Sequence, residues 1–190
     1  MKTLRTLIAA ATLATVAATS AHAAPDQNGV FFKDPAIAGS GCEAGTVDYA
    51  ITPDGQTLSI LFESFAASGS SNKTCNIAVP VHVPNGYQVS LMTADYRGLV
   101  KGSASLNRSY FFAGATGPSL VTPLMGSGSG KEYTQRDSLI TSSNSYAKCG
   151  EDVNLRVNSR IMSKSNNSSI SVDSLDLQNG IVFKLQYRPC

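Results

Sequence analysis

Val47-Asp48-Tyr49-Ala50-Ile51, then Thr52-Pro53-Asp54-Gly55, then Leu58-Ser59-Ile60-Leu61-Phe62 is the stretch that decides the fold. Val47, Tyr49 and Ile51 alternate with polar or small residues, and Leu58, Ile60 and Phe62 repeat the pattern on the far side. A period of two is the mark of a strand with one buried face. Between the runs, proline presets φ and glycine accepts positive φ, so the chain reverses there. The whole reads as a β-hairpin.

Downstream the same signal recurs. Ile77, Val79, Val81 and Val83 share one face, with Asn76, Ala78, Pro80 and His82 on the other. Pro80 cannot donate to a ladder, which predicts a sheet edge or a bulge there. Pro84-Asn85-Gly86 predicts a turn, followed by a returning strand from Tyr87 to about Asp95 and a further turn at Arg97-Gly98. Leu99 to Ala113 reads as a strand, and Gly114 to Gly130 as a long unpatterned loop of the kind that often carries function. Strands at 133–140, 153–161, 170–175 and 181–187 follow, the last closed by an Asn179-Gly180 turn. Nine strands and no amphipathic helix predict an all-β, antiparallel β-sandwich.

At the N-terminus, Lys2 and Arg5 precede an apolar run over Leu7 to Ala18, and Ala21-His22-Ala23 ends it. Charge, apolar stretch and small-residue exit in that order read as a signal peptide over residues 1–23. The run is too short to span a membrane, which takes about 20 apolar residues. Residues 24–190 then form a single domain, secreted or periplasmic. Of 15 basic and 13 acidic residues, the signal takes two basic ones, leaving a formally neutral remainder. A nucleic-acid partner would call for a basic excess, so none is expected.

Cys42, Cys75, Cys149 and Cys190 all lie beyond the signal. An even count in an exported chain predicts disulfides; their wide spacing and the single remaining histidine fit zinc poorly. Strand direction favours Cys42–Cys75, since both precede strands separated by one hairpin. That leaves Cys149–Cys190, which simple up-and-down counting puts at opposite ends unless a connection crosses between sheets.

The ordered set Gly39-Ser40-Gly41-Cys42, Thr52-Pro53-Asp54-Gly55, Asn72-Lys73-Thr74-Cys75, Val83-Pro84-Asn85-Gly86-Tyr87, Asp95-Tyr96-Arg97-Gly98, Lys148-Cys149-Gly150 and Leu185-Gln186-Tyr187-Arg188-Pro189-Cys190 resembles the secreted family called domain of unknown function 4360. The likeness spans nearly all of the exported part. It implies export and one small domain, and it transfers no catalytic residues. Glu43 stands where members of that family carry proline after the cysteine.

Enzyme chemistry finds little purchase. His82 is the one histidine after the signal, and it sits opposite the apolar stripe. No G-x-S-x-G elbow occurs. Ser70-Ser71-Asn72-Lys73 and Ser145-Tyr146-Ala147-Lys148 match S-x-x-K only in letters, outside any helix. Gly126-Ser127-Gly128-Ser129-Gly130-Lys131-Glu132 lacks the glycine and the hydroxyl residue of a phosphate loop. No Asp-x-Asp-x-Asp-Gly calcium loop is present, and no cofactor is expected. Arg156, Lys184 and Arg188 would make a basic outer stripe if their strands were neighbours.

These absences favour a non-catalytic binding module with a glycan or an extracellular protein as partner. The candidate binding residues are Tyr110, Tyr133 and Tyr146 around the long loop, with Asp95 and Arg97 at a corner. The competing readings are a hydrolase using paired carboxylates and a structural envelope or matrix component.

Overall fold

The computed structural model describes residues 29–139, 146–172 and 181–190; the predicted signal segment and the Asn179-Gly180 turn lie outside them. The described residues hold eleven strands and no helix. In chain order these are β1 (Phe31–Phe32), β2 (Ala36–Ala38), β3 (Val47–Ile51), β4 (Thr57–Phe62), β5 (Ala66–Ser68), β6 (Asn72–His82), β7 (Tyr87–Phe112), β8 (Ser119–Ser138), β9 (Val153–Ser163), β10 (Ser169–Ser171) and β11 (Ile181–Pro189). Pairing is antiparallel throughout, along the order β1-β6-β9-β7-β11-β4-β3. The two ends of that order nearly meet: the Phe32 N–H donates to Gly55 O (2.7 Å) in the β3–β4 turn. The predicted all-β sandwich is therefore the fold, almost closed into a barrel.

The opening hairpin forms as read. Val47 pairs with Phe62 and Ile51 with Leu58. In the turn, Asp54 accepts from the Thr52 hydroxyl (2.6 Å) and the Gln56 N–H (3.0 Å), which holds its carboxyl below the usual carboxylate range.

β7 departs from the reading. Arg97-Gly98 makes no turn; one strand of 26 residues runs straight through. One of its edges meets β11 over 87–96, β10 at Val100 and Lys101, then β9 over 104–112. The strand thus belongs to both layers of the sandwich. Gly98 is needed for close approach: a Cβ there would collide with the Ser171 carbonyl oxygen. A bulge opposite Lys184/Leu185 changes the side-chain parity, so Val89 and Leu91, then Ala94 and Tyr96, all face the core.

The expected loop 114–130 is also corrected. Only residues 113–118 connect; β8 starts at Ser119 and pairs back along β7 to Ser138. Its alternation is muted because Thr122 and Gly126 stand at half-buried positions between exposed Val121, Pro123 and Met125. Among the described residues β8 pairs only with β7, so Pro123 falls on an edge strand, where its missing N–H costs nothing. Pro80 similarly faces the gap between β1 and β2, where its carbonyl accepts from the Lys33 N–H (2.8 Å).

The Pro84-Asn85-Gly86 turn forms, yet β6 and β7 do not pair: β6 pairs with β1, β2 and β9. The turn carries the chain across to the other layer. That crossing brings Cys190 beside Gly86 (Cys190 N–H to Gly86 O, 2.8 Å) and Gly150 beside Tyr87 (2.9 Å). Both disulfides close as preferred, Cys42–Cys75 and Cys149–Cys190, with Cα separations of 5.5 and 6.1 Å. The first is buried and the second exposed.

The core lies between the layers. Leu58, Ile60, Phe62 and Phe183 face Ile77, Val79, Val81, Leu155 and Val157, all essentially sealed from solvent. Burying a side chain of this size stabilises by about 1.5–3 kcal/mol.

Candidate functional site

At one end of the sandwich the 113–115 connection and the segment 146–154 form a cleft of about 340 Å³. Its walls include Phe112, Tyr146, Lys148, Glu151, Asp152 and Asn154. Backbone bonds hold both sides: Ala113 N–H donates to Asn154 O (2.8 Å), and Ala147 N–H to Val89 O (2.8 Å). The Cys149–Cys190 bridge ties the second segment to the end of β11.

Within the cleft, the Tyr146 ring is half-buried with the Arg188 guanidinium over it, 3.7 Å from the ring centroid. Such a cation–π contact fixes the orientation of the ring. Asn154 Oδ1 is shut from solvent and has no hydrogen-bond partner, which leaves an acceptor in want of a donor. Asp152 is committed. It accepts from Lys33 Nζ (2.6 Å), His82 Nδ1 (2.8 Å) and the Val83 N–H (3.1 Å). The Lys33 bond, above all, holds its carboxyl below the ordinary carboxylate range. His82 also packs against Phe31, with ring centroids 4.9 Å apart. Glu151 is exposed and joins none of the ion pairs among the described residues.

The predicted binding residues go to different partners. Tyr146 lines the cleft. Tyr110 is buried in the core and donates to Asp137 Oδ2 (2.6 Å). Tyr133 donates to the Ser171 carbonyl (2.8 Å), pinning β10. Asp95 pairs with Arg136 across the ladder (2.6 and 2.8 Å), not with Arg97, which is half-buried opposite Thr134. The Asp95–Arg97 corner does not exist because β7 runs on. Nor does the stripe of Arg156, Lys184 and Arg188: Arg156 lies on β9 and the other two on β11, and these strands do not pair with each other but with different stretches of β7, residues 104–112 and 87–96.

Two exposed tyrosines beside the cleft escaped the reading. Tyr87 and Tyr187 meet edge to face, centroids 5.9 Å apart. Each ends an inward stripe (Tyr87-Val89-Leu91 and Phe183-Leu185-Tyr187), and overrun of such a stripe past the core was the available signal.

Away from the cleft, the core holds a polar cluster with strongly shifted groups. Arg108 donates from Nε (2.8 Å) and Nη2 (2.5 Å) to Asp137, and from Nη1 to Leu106 O (2.7 Å) and Thr122 Oγ1 (2.9 Å). Gln135 Nε2 adds a donor to Asp137 (3.1 Å), and the Tyr96 and Ser159 hydroxyls share a bond of 2.8 Å. Both side chains of the ion pair are almost fully buried, at 1% and 2% exposure. Burial pushes the Tyr96 phenol up to about 12 and Tyr110 well above its ordinary value. A fully hydrogen-bonded, sealed pair of this kind belongs to the scaffold. Among the described residues, no group of three or more histidine, cysteine or acidic side chains is placed to hold a metal ion.

Fold, bridges and cleft together define a small disulfide-stapled β-sandwich. The chain belongs to the family Domain of unknown function (DUF4360), whose model matches residues 29–190. A protein of Arthroderma benhamiae named "Uncharacterized secreted protein" is 25% identical over 182 residues, covering 88% of this chain and 74% of that one. That relative and the two closed bridges agree with the exported destination, secreted or periplasmic. Among solved structures, TmCBM61 in complex with beta-1,4-galactotriose is similar at a TM-score of 0.38 and 9% identity, over 83% of this chain and 91% of that one. A likeness that loose carries neither fold detail nor ligand to this chain.

Proposed function

We propose that the protein is an exported, non-catalytic binding module and that its end cleft takes a glycan. The observation that carries this reading is the composition of the cleft. An aromatic ring held by Arg188 shares the cleft with the polar side chains of Lys148, Glu151 and Asn154. A sugar offers an apolar C–H face to the ring and hydroxyls that donate and accept to the polar side chains. The surrounding loops sit on a rigid β scaffold, the usual arrangement for recognition.

A second reading has one observation in its favour: Glu151 and Asp152 both line the cleft, and paired carboxylates can hydrolyse glycosides. Asp152, however, is held ionised by Lys33 and shared with His82 and a backbone N–H. A general acid needs the opposite shift.

The test is a glycan array followed by titration calorimetry on the mature chain. The expected result is binding without release of reducing ends, weakened about tenfold by Tyr146→Ala. Tyr146→Ala binding as tightly as the parent would remove the cleft from the reading. Release of reducing ends that stops in Glu151→Gln would replace it with the hydrolase.

A further inference from the structure

A second surface lies on the outward side of the sheet, with no residue in common with the cleft. β9 presents Arg156, Asn158 and Arg160 outward at alternate positions. Ladder register sets Asn76 and Ser109 on either side of Asn158, and Thr74 and Asn107 on either side of Arg160. Thr74, Asn76, Asn107, Ser109, Asn158 and Arg160 line a shallow groove of about 190 Å³, which Ser119 of β8 extends; Arg156 stands beyond its end on β9, flanked by Ala78 and Phe111.

Three properties distinguish this groove from an ordinary solvated face. First, Arg156 and Arg160 join none of the ion pairs among the described residues. No carboxylate stands at any of the flanking register positions. Second, Asn107 Oδ1 is closed off from solvent and has no hydrogen-bond partner. Third, the amides and hydroxyls of Thr74, Asn76, Asn107, Ser109 and Asn158 both donate and accept, as sugar hydroxyls do. The two guanidinium groups stand on strand positions about 13 Å apart, at about 3.3 Å per residue.

We propose that this groove binds an acidic polysaccharide. Its uronate or sulfate groups pair with Arg160 and Arg156, whose planar forks match such anions two bonds at a time. Its hydroxyls meet the amides and hydroxyls of Asn76, Ser109 and Asn158. The residues lining the groove include no aromatic platform for stacking bases and no apolar centre such as a protein interface buries; the nearest ring on this face, Phe111 beside Arg156, is half-buried and lies outside the groove.

The experiment is affinity electrophoresis and calorimetry of the mature chain against a polyuronate, a sulfated glucan, the neutral glucan and double-stranded DNA. Retention by an acidic polymer is expected, falling with salt as exposed charge pairs are screened. The polyuronate and sulfated arms report which anion fits better. Arg160→Gln should weaken binding about tenfold and Arg156→Gln less, with melting temperatures unchanged. Lys184→Gln on β11 and Tyr146→Ala in the cleft should leave it intact. The proposal is overturned by equal retention of the neutral glucan, by equal retention of DNA, by no retention of either acidic polymer at low salt, or by Lys184→Gln weakening binding as much as Arg160→Gln. None of those results touches the cleft, whose own ligand is lost through Tyr146→Ala.

Discussion

Strands β7 and β8 carry two arginine–aspartate pairs of mirrored polarity. Asp95 on β7 meets Arg136 on β8, and Arg108 on β7 meets Asp137 on β8. Arg136 and Asp137 are consecutive, so their side chains leave the strand on opposite sides. Bond lengths barely separate the pairs, since each has contacts within 2.5–2.8 Å. Burial separates them: Arg136 is 66% exposed, whereas Arg108 and Asp137 are 1% and 2% exposed. The outer arginine keeps its water. The inner one has traded water for Asp137, Leu106 O and Thr122 Oγ1. The same chemistry should therefore respond very differently to mutation on the two faces.

The largest difference is expected from Asp137→Ala. It leaves the Arg108 charge buried with a backbone carbonyl and one hydroxyl, and Tyr110 without its acceptor. Breaking such a pair costs about 3–5 kcal/mol, readable as a lower midpoint in urea unfolding. The companion variant R108M/D137L tests the cause. If the loss comes from a stranded charge, replacing both partners with apolar side chains of similar size should restore stability to within about 1 kcal/mol of the parent or exceed it. A double variant as weak as the single one would show that the pair itself stabilises the core.

Alkali should act on the same region more gently. Tyr96 is raised by burial to about 12, against about 10 in an unfolded chain. A folded value raised above the unfolded one gives stability that is complete below pH 10 and drains away as pH climbs to 12. At about 1.4 kcal/mol per unit for one group, the loss reaches about 2–3 kcal/mol. Tyr110, also raised, steepens it. Unfolding followed by tyrosinate absorbance should show this cooperative loss. Tyr96→Phe should make the decline shallower, and an unchanged alkaline limb in that variant would mean Tyr96 ionises without unfolding.

How much of this was legible follows from what is local. The β3–β4 hairpin could be read because its alternation and turn sit within sixteen residues. The disulfides could be read because strand direction survives counting errors, and the crossing at Pro84-Asn85-Gly86 supplied the correction that Cys149–Cys190 needed. β7 could not: nothing local reveals that Gly98 faces the Ser171 carbonyl rather than a turn. β8 was hidden by glycine, serine and proline whose alternation shows only beside a partner. For the buried pair, half the signal was present. Leu106, Arg108, Tyr110 and Phe112 share one face, which puts an arginine among core residues. That Asp137 answers it is a tertiary contact across 29 residues of sequence, since in the β7–β8 ladder Arg108 stands opposite Leu120 and Asp137 opposite Ala94. Likewise Tyr146 was named from the sequence, while Asn154 and the commitment of Asp152 emerge only once the end loops converge.

The smallest effect is expected on the outer pair, and it is the sharper test of the comparison. In Arg136→Gln the new amide still donates to Asp95, and water reaches the space left by the guanidinium. Salt already screens the charge of an arginine so exposed. Its guanidinium is charged with or without Asp95, whose hydrogen bond only raises its pKa further, so the variant exchanges a charged donor for a neutral one at an open site. The melting temperature should fall less than in any variant above, and the small difference should shrink further as salt is raised. The Asp137→Ala loss, by contrast, should be nearly indifferent to salt, because ions do not enter the core. If Arg136→Gln proved as damaging as Asp137→Ala, burial would not be what ranks these two pairs. The nearly buried Asp95 carboxylate, at 7% exposure, would then have to be counted with the core instead of the surface.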